Sequence, residues 1–162
     1  NSFSVIFCQQ GLQLFPDEDA ALAEMKRLLR PGGKIAVSVW SKPPPLFTAL
    51  ADALKRHISE AVGNQSLAPF GYKGRETMLA KMAALGFSGM DRQEFAVDRV
   101  IRDPLNAIPK EIASNPVGPT VAKSGQATIS KITEEVLEEV SLYLKGDNII
   151  LPQHTHLFVA SV

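Results

Sequence analysis

The chain has 162 residues, of which 45% are hydrophobic, and its 17 lysines and arginines are balanced by 17 aspartates and glutamates. This length and composition are typical of a globular protein with one domain of ordinary size. The zero net charge gives no electrostatic reason to expect binding to nucleic acid or to an anionic membrane. No apolar stretch reaches the roughly 18 residues that cross a bilayer, and we expect no signal peptide. The single cysteine, Cys8, excludes an internal disulfide and favours a cytoplasmic location.

The first forty residues have the pattern of a strand–helix–strand unit. Residues 4–8 are a short apolar run of strand-forming residues. A helix is predicted after Pro16, because acidic residues occupy its first turn, basic residues occupy its last turn and leucines form one stripe. Residues 31–33, Pro-Gly-Gly, predict a tight turn. Residues 35–40 are apolar on both faces, which is typical of a central parallel strand covered by helices on both sides. We therefore interpret residues 1–40 as a strand–helix–strand core unit.

Helices and short strands continue to alternate after residue 40. Helices are predicted at 46–62, at 75–85 with Gly86 as the cap, and from 129 to a stop at Gly146. Strands are predicted near 95–97 and over 157–162. The segments 41–75 and 102–125 contain loop residues and prolines, and we interpret both as parts of a substrate lid. This alternation predicts an α/β fold.

Four short motifs occur in an order that points to one family. They are residues 3–17, in which Cys8-Gln9-Gln10-Gly11-Leu12 follows the first strand; RLLRPGG at 27–33; ALGF at 84–87; and HTHLFVA at 154–160. Together they resemble the second half of class I S-adenosylmethionine-dependent methyltransferases, in the ubiquinone/menaquinone-biosynthesis-like branch. The resemblance covers residues 2–162. It implies a single partial domain over 1–162, with a Rossmann-like sheet of strands four to seven, the last of them antiparallel, and covering helices.

Two features of the family are missing from this sequence. They are the Gly-rich loop after the family's first strand and the acidic residue that ends its second strand. Gly32-Gly33 lies between a helix and a strand, so it is not a cofactor cradle of the usual kind. We therefore expect the chain to be a truncated fragment that lacks the N-terminal half of the fold. Alone, it is expected to be inactive or very weak.

The resemblance implies that Cys8, Gln9, Gln10, Gly11 and Leu12 bind the cofactor S-adenosylmethionine, since they follow a strand at the ligand edge of the sheet. The amides of Gln9 and Gln10 can donate and accept hydrogen bonds. The alternative is that they only cap the strand and hydrate a turn. The sequence places no histidine or group of cations near Cys8, which is more simply a small buried residue. No catalytic residue is assigned, because methyl transfer from a sulfonium needs positioning more than acid–base chemistry.

Aromatic residues near the predicted loops are candidates for contact with a substrate. Trp40 ends an apolar strand, and Phe70 and Tyr72 lie in a loop; all three could instead pack in the core. The sparse charge of these loops favours a neutral small-molecule methyl acceptor and no nucleic acid. His154 and His156 alternate on an extended segment, but two histidines without a third ligand predict no metal site.

Two other interpretations stay open. A half-sheet that ends at its fourth strand exposes an apolar edge, so the chain could be a non-catalytic oligomerisation or interaction module, such as a homodimer through that edge. The chain could also belong to another nucleotide-binding α/β enzyme, such as a nicotinamide dehydrogenase. That interpretation requires a Gly-x-Gly-x-x-Gly loop upstream.

Overall fold

The computed structural model describes residues 2–162; Asn1, to which the predicted upstream half would connect, lies outside the described residues. The chain contains both strands and helices, with short 3-10 turns between some of them. In chain order the elements are β1 (Phe3–Gln9), α1 (Glu18–Leu28), β2 (Leu29–Trp40), α2 (Pro45–His57), α3 (Glu60–Ser66), α4 (Met78–Ala84), β3 (Ser88–Arg102), α5 (Pro104–Ser114), α6 (Gly118–Ala122), α7 (Gln126–Glu139), β4 (Leu144–Lys145) and β5 (Asn148–Ser161).

The chain divides into two compact units. The first unit comprises the residues up to Lys42, Pro69–Ala96 and His154–Val162. The second unit comprises Pro43–Ala68 and Val97–Gln153. Most of the two predicted lid segments, 41–75 and 102–125, lie within the ranges of the second unit. Their role as a lid stays a prediction.

The sheet has the strand order β1-β2-β5-β3, with β4 pairing beside β5. β1 and β2 are parallel, and Cys8 lies beside Val37. β2 and β5 are antiparallel, and Val37 lies beside Phe158. The fold is therefore α/β with a mixed sheet, and the last strand is antiparallel as predicted. The interpretation of these strands as only the C-terminal half of a larger sheet stays a prediction.

One face of β2 builds the core of the first unit. Ile35, Val37 and Val39 are fully buried there, together with Leu22 of α1 and Met82 of α4. The residues between them, from Ala36 to Trp40, are only half-buried. The sequence pattern predicted helices over both faces of this strand. The structure buries one face fully and leaves the other partly accessible.

The Pro-Gly-Gly segment differs from its prediction as a tight turn. β2 begins already at Leu29, which lies beside Phe3, and the register then shifts so that Val5 lies beside Lys34. Gly32 takes a positive φ of 74°, and its N–H donates to the carbonyl of Val162 at 3.0 Å. The segment is therefore an irregularity within a long strand, because its backbone finds partners on neighbouring extended chain.

The second unit is mainly helical. Its core consists of buried aliphatic residues of α2, α5, α6 and α7 together with residues of β3 and β5, among them Leu50, Leu54, Ile108, Ile132 and Val136. The predicted helix 46–62 is two helices, because Ser59 starts α3 by accepting the Val62 N–H at its hydroxyl, at 3.3 Å. Gly146, predicted to stop a helix, has a φ of 59° and lies between the paired strands β4 and β5. In the part of the chain that the structure describes, no helix is long and apolar enough to span a membrane.

Gly86 ends α4 as predicted, and its conformation makes a testable contribution to stability. Its φ is +77°, its N–H donates to Ala83 at 2.8 Å, and the Phe87 N–H donates to Met82 at 3.0 Å. Gly86→Ala should lower the free energy of unfolding by about 1–2 kcal/mol, because a Cβ disfavours this left-handed conformation. Urea unfolding measures the change. Gly86→Asn is the control: asparagine tolerates positive φ, so its loss should be smaller, and equal losses would contradict the backbone explanation.

Candidate functional site

The candidate site lies where β1 and β2 end at one edge of the sheet, beside residues 154–155 within β5. Gln9, the last residue of β1, lies beside Ser38 of β2. Trp40, the last residue of β2, lies beside Thr155 of β5. β1 and β2 are parallel, and β5 is antiparallel to them. This edge therefore contains the loop after β1, the end of β2 and residues 154–155. Ligands of open α/β sheets bind at such carboxyl ends.

Gln10 ties the three strands together at this edge. Its backbone N–H donates to the carbonyl of Ser38 at 3.0 Å. Its side-chain Nε2 donates to the hydroxyl of Thr155 at 2.8 Å, and that hydroxyl donates to the carbonyl of Val39 at 2.9 Å. The side chain of Gln10 is therefore held in one orientation by a chain of hydrogen bonds that crosses β2.

Two features of Gln10 lower the stability of the fold. Its φ is +49°, a left-handed conformation that a residue with a Cβ adopts at a cost of about 1–2 kcal/mol. Its Oε1 is buried and receives no hydrogen bond, and the same holds for Oε1 of Gln13 in the following 3-10 turn. Buried acceptors without donors are rare in folded proteins. They suit a ligand that brings N–H or O–H groups.

The other residues of the predicted cofactor stretch have different surroundings. Gln9 is exposed, and Gly11 and Cys8 are partly buried. Burial raises the pKa of the Cys8 thiol, while the backbone N–H groups of Gly11 and Leu12 oppose this effect. The thiol is therefore protonated at neutral pH, as predicted for an unreactive cysteine. Leu12 is fully buried in the core of the first unit, so its side chain contributes packing.

Of the three predicted aromatic residues, two are in contact. The rings of Trp40 and Phe70 lie 5.7 Å apart at 51°. Phe70 is 6% exposed, whereas Trp40 is half-buried at the strand end. The Tyr72 hydroxyl donates to the carboxylate of Glu18, and burial is the main cause that raises the pKa of Tyr72. Trp40 thus has accessible surface beside the strand ends, while Tyr72 uses its hydroxyl to hold α1.

A polar cluster at the same edge was not predicted from the sequence. The Ser41 hydroxyl donates to Oε1 of Glu94 at 2.6 Å, and Oε2 of Glu94 lies 4.0 Å from Nδ1 of His156. The Ser41 N–H donates to the carbonyl of His154 at 3.1 Å. The His156 side chain is buried, and its Nδ1 has no hydrogen-bond partner. Sequence analysis singled out His156, but it had no signal that β3 would bring Glu94 beside it.

A hydrogen bond and burial are the main causes that shift the pKa values of the two titratable groups of this cluster. The hydrogen bond from Ser41 lowers the pKa of Glu94. Burial lowers the pKa of His156, Arg92 and Arg75 lower it further, and Glu94 opposes them. The imidazole is therefore neutral at neutral pH. Within residues 2–162 no group of three or more histidine, cysteine, aspartate or glutamate side chains is arranged to hold a metal ion.

A cavity of about 590 Å³ elsewhere in the first unit has a different character. Its lining comprises Ala23, Lys26, Arg27, Leu29, Pro31, Leu85 and Val162. Lys26 donates to the carbonyls of Leu85 and Gly86 at the end of α4, so its ammonium group caps a helix. None of its residues belongs to the strand-end cluster. The chemistry of the candidate site therefore lies at the strand ends, outside this cavity.

The comparisons with known proteins agree with this fold. Residues 1–37 match the family described as "Methyltransferase domain". The ubiquinone/menaquinone biosynthesis C-methyltransferases of Hahella chejuensis and Shewanella halifaxensis are each 49% identical to the chain over 43 residues. That match covers 26% of this chain and only 17% of either relative.

Two solved structures share the fold over nearly the whole chain. A candidate methyltransferase from Bacillus halodurans is 15% identical, with a TM-score of 0.50 over 99% of this chain and 64% of that one. The YcgJ protein of Bacillus subtilis is 16% identical, with the same TM-score and the same coverage. The family and sequence matches confirm the predicted resemblance to methyltransferases over about a quarter of the chain, and the two solved structures share its fold. The chain spans less than two thirds of these proteins.

The buried His156 predicts how stability depends on pH. Because its pKa is lowered from the ordinary value of 6.5, the unfolded chain binds a proton at a higher pH than the folded chain. The free energy of unfolding should therefore decrease as the pH falls below about 6.5. His156→Phe should show a smaller decrease in urea unfolding at pH 7.5 and 5.5. Equal pH dependence of the wild type and His156→Phe would refute the assignment.

Proposed function

We propose that the chain forms part of an S-adenosylmethionine-dependent methyltransferase that acts on a small molecule. The observation that carries the proposal is the loop after β1. It lies in the segment that matches the methyltransferase family, and its Gln10 is oriented by Thr155 with a buried acceptor oxygen left unused. The cytoplasmic location suggested by the single cysteine belongs to this proposal as an expectation.

The residues of this loop fit the cofactor chemically. S-adenosylmethionine carries an ammonium group and ribose hydroxyls, which are hydrogen-bond donors, and the Oε1 atoms of Gln10 and Gln13 are buried acceptors. Cys8, Gln9, Gly11 and Leu12 would form the backbone frame around them. When bound, the sulfonium supplies the methyl group as an electrophile. The task of the protein is then to orient the methyl acceptor and exclude water.

The aromatic residues suit a neutral acceptor. Trp40 is half-buried at the strand end, and Phe70 packs against it. We assign Trp40, Phe70 and Tyr72 to an apolar wall for the acceptor. The chain has no net charge, which disfavours nucleic acid as the partner. The named relatives act in ubiquinone/menaquinone biosynthesis, which makes a quinone-like ring a reasonable probe.

By itself, the chain of 162 residues is proposed to have very weak activity or none. No Gly-x-Gly loop follows a strand in its sequence. In nucleotide-binding α/β folds such a loop lets the backbone approach the cofactor closely. The acceptors of Gln10 and Gln13 would then provide only part of the binding energy. Binding of the cofactor, rather than catalysis, is therefore the property to measure first.

Replacing Gln10 tests the cofactor site. In a ¹H–¹⁵N correlation spectrum, millimolar S-adenosylmethionine should shift the side-chain amide resonances of Gln10 and Gln13. Gln10→Leu should weaken the apparent affinity about tenfold or more, because a hydrogen bond to a charged group contributes about 1.5–3 kcal/mol. Gln10→Glu should lose less affinity than Gln10→Leu, since it keeps an acceptor and adds a charge that attracts the ammonium group, although it loses the N–H that donates to Thr155.

The control for this experiment is Gln65→Leu, which changes an exposed glutamine of α3 in the same way. It should bind the cofactor as the wild type does. Thermal unfolding of each variant checks that the fold is retained. An unshifted spectrum at all cofactor concentrations, or an affinity that Gln10→Leu leaves unchanged, would count against the site.

Binding near Trp40 tests the chemical class of the methyl acceptor. Trp40 is the chain's single tryptophan, so it gives one indole N–H resonance. Hydroquinone, a neutral aromatic probe, should shift this resonance. Trp40→Leu lacks this resonance, so backbone amide resonances follow its binding of the probe. That binding should be about tenfold weaker, since an aromatic contact contributes about 0.5–1.5 kcal/mol beyond its buried area. Phe95→Leu, an exposed aromatic residue of β3, is the control. Tight binding of a DNA duplex at physiological salt would overturn the neutral small-molecule assignment.

A second candidate function is a non-catalytic interaction module. The observation that favours it is the position of β1 at the end of the strand order, with Phe7 78% exposed. An uncovered apolar edge strand is a surface that pairs with another chain. This role requires no cofactor, so the titration above separates the two candidates.

A further inference from the structure

The hydroxyl of Thr155 lies between two backbone carbonyls and the side chain of Gln10. Its Oγ1 lies 2.9 Å from the carbonyl oxygen of Val39 and 3.3 Å from that of His156. A carbonyl oxygen only accepts hydrogen bonds, so the single hydroxyl proton is directed at one of these two oxygens. Thr155 is only 6% exposed, so its partners come from the protein. Towards Gln10, the hydroxyl therefore acts only as an acceptor.

This single proton decides which end of the Gln10 amide faces Thr155. The amide nitrogen donates hydrogen bonds, and the amide oxygen accepts them. Nε2 faces Thr155 and donates to its Oγ1 at 2.8 Å. In the reversed orientation, Oε1 would meet Oγ1 with no proton between the two oxygens. The orientation of the amide is therefore set by the direction of the hydrogen bond that Thr155 donates.

The backbone holds both residues in place. The N–H of Gln10 donates to the carbonyl of Ser38 at 3.0 Å, and the φ of Gln10 is +49°. Thr155 is paired with Trp40 in the antiparallel ladder of β2 and β5. Because the backbone at both ends of the side-chain hydrogen bond is fixed, the amide is oriented before a ligand arrives. Such preorganisation lowers the conformational cost of binding.

The oriented amide directs an acceptor towards a ligand. In the described part of the chain, Oε1 of Gln10 is buried and receives no hydrogen bond. A ligand group with an N–H or O–H satisfies this oxygen, whereas a carboxylate places a second acceptor against it. A buried acceptor that stays unsatisfied is unfavourable, so this contact discriminates between the two kinds of group. The polarity of the site therefore depends on Thr155, which acts through Gln10.

We propose that Thr155 is a positioning residue that makes the strand-end site select hydrogen-bond donors and reject carboxylates. The inference rests on the proposed function, because it places the ligand at Gln10, and it adds the residue that sets the polarity of that contact. A ligand group with a cationic N–H is preferred to an anionic group of similar size.

Proton exchange tests the effect of Thr155 on Gln10 in the free chain. Thr155→Val keeps the branched shape without the hydroxyl, and its Gln10 side-chain N–H protons should exchange with water about tenfold faster, as expected from the loss of one hydrogen bond. Thr155→Ser, which keeps the hydroxyl, should exchange like the wild type. Thr133→Val is the matched control, because Thr133 of α7 is also buried and its hydroxyl donates to the carbonyl of Ile129 at 2.8 Å. Equal exchange in Thr155→Val and the wild type would overturn the positioning role.

A matched pair of probes tests the selection. Phenethylamine and 3-phenylpropionate share an aromatic ring and a two-carbon chain, but one ends in an ammonium group and the other in a carboxylate. Shifts of the Gln10 side-chain resonances should show that the wild type binds phenethylamine about tenfold more tightly. Thr155→Val should lose most of this preference, because its Gln10 amide can turn and present the nitrogen to a carboxylate. Thr155→Ser and Thr133→Val should keep the preference.

The outcomes separate this inference from the proposed function. An equal preference in the wild type and Thr155→Val would refute the role of Thr155, as would the absence of any shift of Gln10 with either probe. The titration with S-adenosylmethionine then still decides the cofactor site. A preference that depends on Thr155 in a chain that does not bind the cofactor would support the selection and refute the cofactor alone. If Thr155→Val does not fold, the wild type decides: equal binding of the two probes would overturn the selection, and the tenfold preference would support it.

Discussion

The pairing of β2 with β1 on one side and β5 on the other is the constraint on which the first unit depends. Both edges of β2 are occupied, and its Ile35, Val37 and Val39 are fully buried in the core. Because side chains alternate along a strand, a shift of one residue would move these three to the accessible face. The same register brings Gln10 and Thr155 to one edge of the sheet. Core and candidate site are therefore set by one set of hydrogen bonds.

The strand-end region destabilises the fold, whereas the apolar core stabilises it. The core of the first unit is apolar, whereas Gln10, Gln13 and His156 each bury a polar atom that receives no hydrogen bond. An unsatisfied buried polar group costs about 1–3 kcal/mol, and Gln10 adds a left-handed backbone. Costs of this kind concentrate at functional sites, where a ligand or a moving element supplies the missing partners. The physical evidence for a site is thus the incomplete hydrogen bonding of this edge.

β1 has a part in each proposed role, and the two roles use different residues. Its end leads into the loop that holds Gln10, while the side chains of Phe3, Val5 and Phe7 are exposed in the part of the chain that the structure describes. Cofactor binding depends on side-chain acceptors fixed by Thr155. The interaction candidate instead depends on the exposed apolar side chains of the strand. The two roles are therefore compatible in one molecule.

Local signals in the sequence determined much of the fold. Hydrophobic periodicity and the charges at the ends of α1 predicted the strand–helix–strand unit. The glycine at 86 predicted the end of α4. The antiparallel direction of the last strand was predicted from the family resemblance. Such signals act over a few residues, so they also misled locally: residues 31–33 look like a turn, but neighbouring strands supply backbone partners that keep them in β2. Gln10 became a site candidate through the family resemblance, and Trp40 because it ends an apolar strand. Only the tertiary structure placed Glu94 beside His156 and left Gln10 with an unused acceptor, because residues far apart in sequence meet through strand pairing that no local pattern encodes.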